Sequence, residues 1–169
     1  PPHAVALARL AELEMVRGDS TAARVALARA VNAEERPLER ARYRLRLAEL
    51  DRQEDRLDVA AKGLVSALAE APDDERIATH LARVRLLQGN AKAARRLAER
   101  VLSRVDGASE EAQIVRSVLT IVTDAESESA EVDSGIALAL REFNDAPTDL
   151  SAIVKLADAA LAAGETGWA

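Results

Sequence analysis

Residues 75–102, ERIATHLARVRLLQGNAKAARRLAERVL, read as two helices joined by a tight turn. Ile77, Leu81, Ala82 and Leu86 recur at helical spacing, Gly89-Asn90 interrupts the run, and Ala94, Leu97, Val101 and Leu102 resume it. The same pattern stands twice upstream. Ala11, Ala48 and Ala82 form one series, Ala23, Ala60 and Ala94 a second, and Leu10, Leu47 and Leu81 a third, each stepping by 37 and then 34 residues. A self-similar period of that length marks a helical solenoid. Each unit is a pair of antiparallel helices too thin to bury its own apolar face, so neighbours stack and share one core.

Composition agrees. With 49% of its 169 residues apolar, the chain is no disordered polymer, and Tyr43, Phe143 and Trp168 are its only aromatics. Ala and Leu supply most of the rest, and both favour helix. An all-α core of small and branched aliphatic side chains follows. No stretch approaches the roughly 18 uninterrupted apolar residues that span a bilayer, so direct membrane insertion is not expected. A net charge of −6 argues against wrapping nucleic acid, which needs a basic footprint. Lys62, Lys92 and Lys155 are the only lysines among 23 basic residues, and arginine can clasp carboxylates in a bidentate way that lysine cannot. Cysteine is absent, which removes disulfides and thiolate chemistry together.

Upstream of the quoted stretch, a helix is expected from Ala4 to Val16, broken by Gly18-Asp19-Ser20, where Asp19 or Ser20 caps a second helix carrying Ala23, Leu27, Ala30 and Val31. Pro37 suits the first turn of a third helix reaching about Leu50. The turn Gln53-Glu54-Asp55 leads to a fourth helix with Ala60, Leu64, Ala67 and Leu68, ended by Pro72-Asp73-Asp74. One segment has a rival reading. Ala41, Tyr43, Leu45 and Leu47 alternate with Arg42, Arg44 and Arg46, which is a strand period, while Leu38, Ala41, Leu45 and Ala48 fit a helix. The repeat decides for helix. Beyond Asp106-Gly107 two helices are expected, from Ser109 to about Val122 and from Ala130 to about Asn144, around an acidic connection, Thr123 to Ser129. Ala146-Pro147-Thr148-Asp149 starts a last helix reaching Ala163.

On these residues the chain resembles the tetratricopeptide repeat (TPR) family, whose unit of about 34 residues pairs Leu-Gly in its first helix with Ala, an aromatic and a closing Pro in its second. Leu10-Ala11, Ala23 and Leu27 match in the first unit, Leu47-Ala48, Ala60, Leu64 and Pro72 in the second, and Leu81-Ala82, Ala94 and Ala98 in the third. The family's Trp slot holds Leu7, Arg44 and Ala78, and its Tyr slot Glu14, Asp51 and Arg85. The resemblance runs over residues 4–106. It implies a right-handed superhelical solenoid of antiparallel hairpins over 1–169 as a single domain. Its units would be 4–37, 38–74, 75–108, 109–147 and an incomplete 148–169. A start at Pro1-Pro2 and a stop after what reads as a first helix fit a fragment of a longer chain.

In such an arrangement the first helices line a concave groove, and five residues are candidates for binding a partner there. Arg42 and Arg46 are four apart, and Arg76, His80 and Arg83 step by four and three, so each set shares one stripe of its helix. A basic strip on an otherwise acidic chain favours a protein or peptide with an acidic surface, with an anionic polymer as the alternative. The competing reading is that these residues only solvate helix faces, beside Glu49 or other acids. The clamp by which some TPR proteins hold chaperone tails needs an Asn pair. The corresponding region offers Ala8, Glu12, Arg46, Arg76 and His80, which argues against that partner.

No catalytic residue, cofactor or metal site is expected. His3 lies at the start of the chain and His80 has no second histidine or cysteine at ligand spacing. Asp73-Asp74-Glu75 and Glu110-Glu111 stand where helices begin and complement their dipoles. Ser127 and Ser129, between acids, read as a solvated loop. The expectation is an interaction scaffold rather than an enzyme. The resemblance implies a bacterial setting in envelope assembly, including polysaccharide export and secretion machinery, with the compartment, periplasmic or cytoplasmic, left open. The alternatives are a structural or oligomerising spacer and a sensor arm of a regulatory protein whose active domain lies elsewhere.

Overall fold

The computed structural model describes residues 2–145 and, beyond them, residues 154, 155, 158, 159 and 161. Among the described residues there are seven helices and no strand: α1 (Pro2–Val16), α2 (Ser20–Ala33), α3 (Pro37–Gln53), α4 (Leu57–Glu70), α5 (Glu75–Leu87), α6 (Ala91–Leu102) and α7 (Glu110–Asp145). Pro1–Thr120 form one compact unit and Ile121–Ala169 another. In the first, α1 pairs with α2, α3 with α4 and α5 with α6, while α2 packs on α3 and α4 on α5. That order of packing is consistent with a helical solenoid. No described helix is long and apolar enough to cross a membrane.

Local chemistry sets the ends of these helices. Asp19 caps α2 by accepting from the Ala22 N–H at 2.8 Å, and Asn90 caps α6 by accepting from Ala93 N–H at 3.1 Å. Asp74 accepts from the first amides of α5. Pro37 opens α3, where its missing N–H costs nothing. The first helix of every hairpin closes on a left-handed residue at one repeat position, Gly18 (φ 81°), Asp55 (φ 57°) and Gly89 (φ 73°). An ion pair spans the Asp55 turn, with Arg56 Nη2 2.8 Å from Asp51 Oδ1. Burial pushes the Asp51 carboxyl above its ordinary value.

Between α2 and α3 the chain turns around Glu34, whose carboxylate accepts from the Arg36 backbone N–H at 3.1 Å and from Arg36 Nε at 3.0 Å. The Arg36 hydrogen bonds hold this buried carboxyl down at about 2. Its folded pKa is depressed, so its stabilising contribution is present above the ordinary carboxylate range and lost as pH falls towards about 2.

Every alanine of the two repeat series is buried: Ala11, Ala48 and Ala82 on the first helices, and Ala23, Ala60 and Ala94 on the second. The strand-like alternation over 41–47 lies in α3, and the helix explains it. Ala41, Leu45 and Ala48 form one stripe packed with α4 and α5. Tyr43, Leu47 and Leu50 form another, packed with α1 and α2. Two stripes at helical spacing, offset by two residues, produce an apparent period of two. An inner helix covered on two sides needs both.

Downstream, the expected break over Thr123–Ser129 is absent, and α7 continues through it. The segment has neither Gly nor Pro, and the Ser127 hydroxyl donates to the Thr123 carbonyl at 2.9 Å, so its polar side chain is satisfied within the helix. Helix-competent Ala and Glu outweigh the serines. The expected hairpin over 109–147 is therefore one helix as far as Asp145. The start expected at Ala146–Asp149 lies outside the described residues, as does most of the incomplete unit 148–169.

The left-handed series generates a test. Asp55 has a Cβ where its register mates are glycines, and an L side chain there costs about 1–2 kcal/mol. Asp55→Gly is expected to stabilise the protein by about 1 kcal/mol in urea unfolding, because relief of that strain outweighs the added freedom of the unfolded chain. Unchanged or lowered stability would contradict the assignment of this turn.

Candidate functional site

The five candidate residues sit on first helices, and the repeat register arranges them with their neighbours into three rows. Val5, Arg42 and Arg76 are equivalent, as are Arg9, Arg46 and His80, and Glu12, Glu49 and Arg83, all by the same steps of 37 and 34. The second and third rows meet across helices. Arg46 Nη1 donates to Glu12 Oε1 at 2.7 Å, joining α3 to α1. His80 Nε2 lies 3.4 Å from Glu49 Oε1, joining α5 to α3. An acid of one hairpin thus faces a base of the next. The third hairpin has Arg83 where the acid would stand, and this half-buried side chain has no ion pair among the described residues.

Compensation is incomplete at the other end too. Glu12 accepts from Arg9 at 2.6 Å as well as from Arg46, and these two hydrogen bonds hold its carboxyl below the ordinary range. Two guanidiniums share one carboxylate. Arg42 donates to Glu39 at 2.8 Å on its own helix, and Arg76 lies 3.5 Å from Asp74. The competing reading of solvated, acid-paired faces therefore describes Arg42 and Arg76 well. For Arg46 and His80 the pairing is a link between hairpins.

Two adjoining cavities, each of about 250 Å³, open between α1 and α3 and share Ala8, Glu12 and Arg46. One is floored by Ala11, Leu27 and Leu50, and the other is lined by Arg9, Arg42 and Tyr43. The small side chains at Ala8 and Ala11 leave this space. A third, of about 560 Å³, brings Arg42 and Arg76 together, but with Asp73, Asp74, Glu75 and Glu111 around them. Arg9, Glu12, Glu39 and Tyr43 are among the lining residues that spacing on a single helix does not assign to the site. Register was the signal for two of them, since Arg9 and Glu12 align with Arg46 and Glu49.

His80 differs from the arginines in charge. Burial lowers its pKa first, Glu49 and Glu110 raise it, and Arg83 and Arg52 lower it further, with a net value below the ordinary one. Its cationic form is disfavoured relative to an ordinary histidine, so the positive charge of this surface rests chiefly on arginine.

No protein-family model matches the chain, and no curated protein matches it in sequence.

The histidine supplies the measurement. In a proton NMR titration His80 should titrate below the ordinary histidine value of about 6.5, and Arg83→Gln should move the midpoint upward by removing a repelling charge. A histidine with a depressed folded pKa makes its stabilising contribution above its unfolded pKa and loses it as pH falls. A midpoint at or above the ordinary value would contradict this environment.

Proposed function

We propose that this chain is a TPR-like protein-interaction scaffold, a right-handed stack of hairpins whose first helices bind an acidic segment of a partner protein. Arg83 carries the reading. It is a half-buried cation at the register position that holds Glu12 and Glu49 in the other hairpins, and among the described residues it has no ion pair. Arg9 and Arg46 add a second excess charge on the same series of helices. Guanidiniums anchored by one bond retain further donors for an incoming carboxylate. The cavities between α1 and α3 offer room beside them. The reading is one of binding without catalysis, and envelope assembly in a bacterium is the setting that the family resemblance implies.

A short fluorescein-labelled Asp–Glu peptide serves as probe in anisotropy titrations. Arg46→Gln combined with Arg83→Glu is expected to weaken its binding by more than about tenfold, and added salt should weaken binding to the parent protein. Folding should survive, because the exposed Arg46–Glu12 pair is worth about 0–1 kcal/mol. Arg96→Glu on α6 is the control. Loss of binding with the control and retention with the double variant would move the site off the first helices.

A further inference from the structure

We propose that the outer face of α1 is a stacking surface for one more helix hairpin of the same repeat. The register makes Ala6, Leu10 and Leu13 of α1 equivalent to Tyr43, Leu47 and Leu50 of α3 and to Ile77, Leu81 and Val84 of α5. In both later units the preceding hairpin covers this triplet. Tyr43 packs with Ala4, Ala8, Ala30 and Val31, and Leu47 and Leu50 pack with Ala11, Ala26 and Leu27, all from α1 and α2. Ile77, Leu81 and Val84 cluster with residues of α3 and α4 such as Leu45, Ala48, Leu64 and Ala67. Leu50 and Leu81 are each only 4% exposed as a result.

On α1 the same positions are open. Leu10 is 43% and Leu13 63% exposed, and Ala6 is exposed as well. Scattered exposed leucines are ordinary, but these two occupy the positions that mediate stacking elsewhere in the molecule. A terminal hairpin acting as a cap carries a polar outer face, and α1 carries leucine there. The occupant follows from what covers the equivalent triplets. It is an antiparallel helix pair presenting a stripe of alanine and leucine, as α1–α2 and α3–α4 do, so the new contact continues an interface the protein already builds twice.

The experiment adds that hairpin. A copy of residues 4–37 fused ahead of Pro1 preserves the step of 37 residues between units. The tandem protein is expected to gain helical circular dichroism in proportion to its added length, to unfold in a single transition several degrees above the parent, and to protect the α1 amides from hydrogen exchange. Leu10→Asp with Leu13→Asp should abolish those gains in the tandem while leaving the melting of the parent unchanged. An added segment without helicity, or a tandem melting at the parent's temperature with unprotected α1 amides, would overturn the proposal. So would sedimentation showing the parent as a dimer that Leu13→Asp dissolves, because the face would then belong to a second copy.

Discussion

Ala48 lies where α3 packs directly on α4: a Cβ placed on Gly63 would sit 3.7 Å from the Ala48 Cβ. At that separation a larger residue on either helix must push the axes apart or leave its preferred rotamer, at a cost of about 1–3 kcal/mol. Gly63 has no Cβ, and a methyl added there would meet Ala48 at ordinary van der Waals length, so the two helices lie about one methyl group apart at this point without strain. Ala11 and Ala23 are buried in one cluster of the first hairpin, and Ala48 and Ala60 in one cluster of the second. Small side chains at these points let two helices lie close enough for Leu27 and Leu64 to be almost wholly buried. The two helices of a hairpin then act as one layer. Only such a layer can present a continuous face to the next unit.

That constraint explains why α3 departs from simple amphipathicity. A helix on the outside of a bundle has one apolar stripe, whereas α3 must meet its own partner α4, the following α5 and the preceding hairpin. Its two stripes bury Ala41, Leu45 and Ala48 on one side and Tyr43 and Leu50 on another. The arginines between them are therefore confined to narrow strips and reach outward by their long stems. Arg40 and Arg44 both meet Glu70 of α4, at 2.8 and 3.5 Å, which ties the polar edge of the hairpin as the alanines tie its centre.

Periodicity made the helices and their order readable from residues 4–102, because the small-residue positions repeat and the turns carry Gly, Asp or Asn where a chain must reverse. It failed beyond residue 109 for a related reason. The Ala and Leu positions lose their step there, and the acidic, serine-containing composition of residues 123–129 reads as a connection although nothing in it breaks a helix. The candidate site was readable in part. Spacing identified Arg42, Arg46, Arg76, His80 and Arg83 as sharing faces, but a stripe on one helix does not reveal which acid the neighbouring helix brings against it. Aligning Glu12 with Glu49 and Arg83 supplies that information, since the cross-helix pairs join one unit to the next. His80 shares the basic stripe by spacing, but its pKa is lowered first by burial and then by Arg83 and Arg52, and spacing shows neither the burial nor Arg52.

If close approach at the alanines organises the stack, one substitution should be felt alike at every equivalent point. Urea unfolding of Ala11→Leu, Ala48→Leu and Ala82→Leu tests this most directly. The account predicts a loss of about 1–3 kcal/mol at each of the three positions, with the helical signal retained in the folded protein. Parent-like unfolding of Ala48→Leu, or a penalty confined to one hairpin, would contradict it.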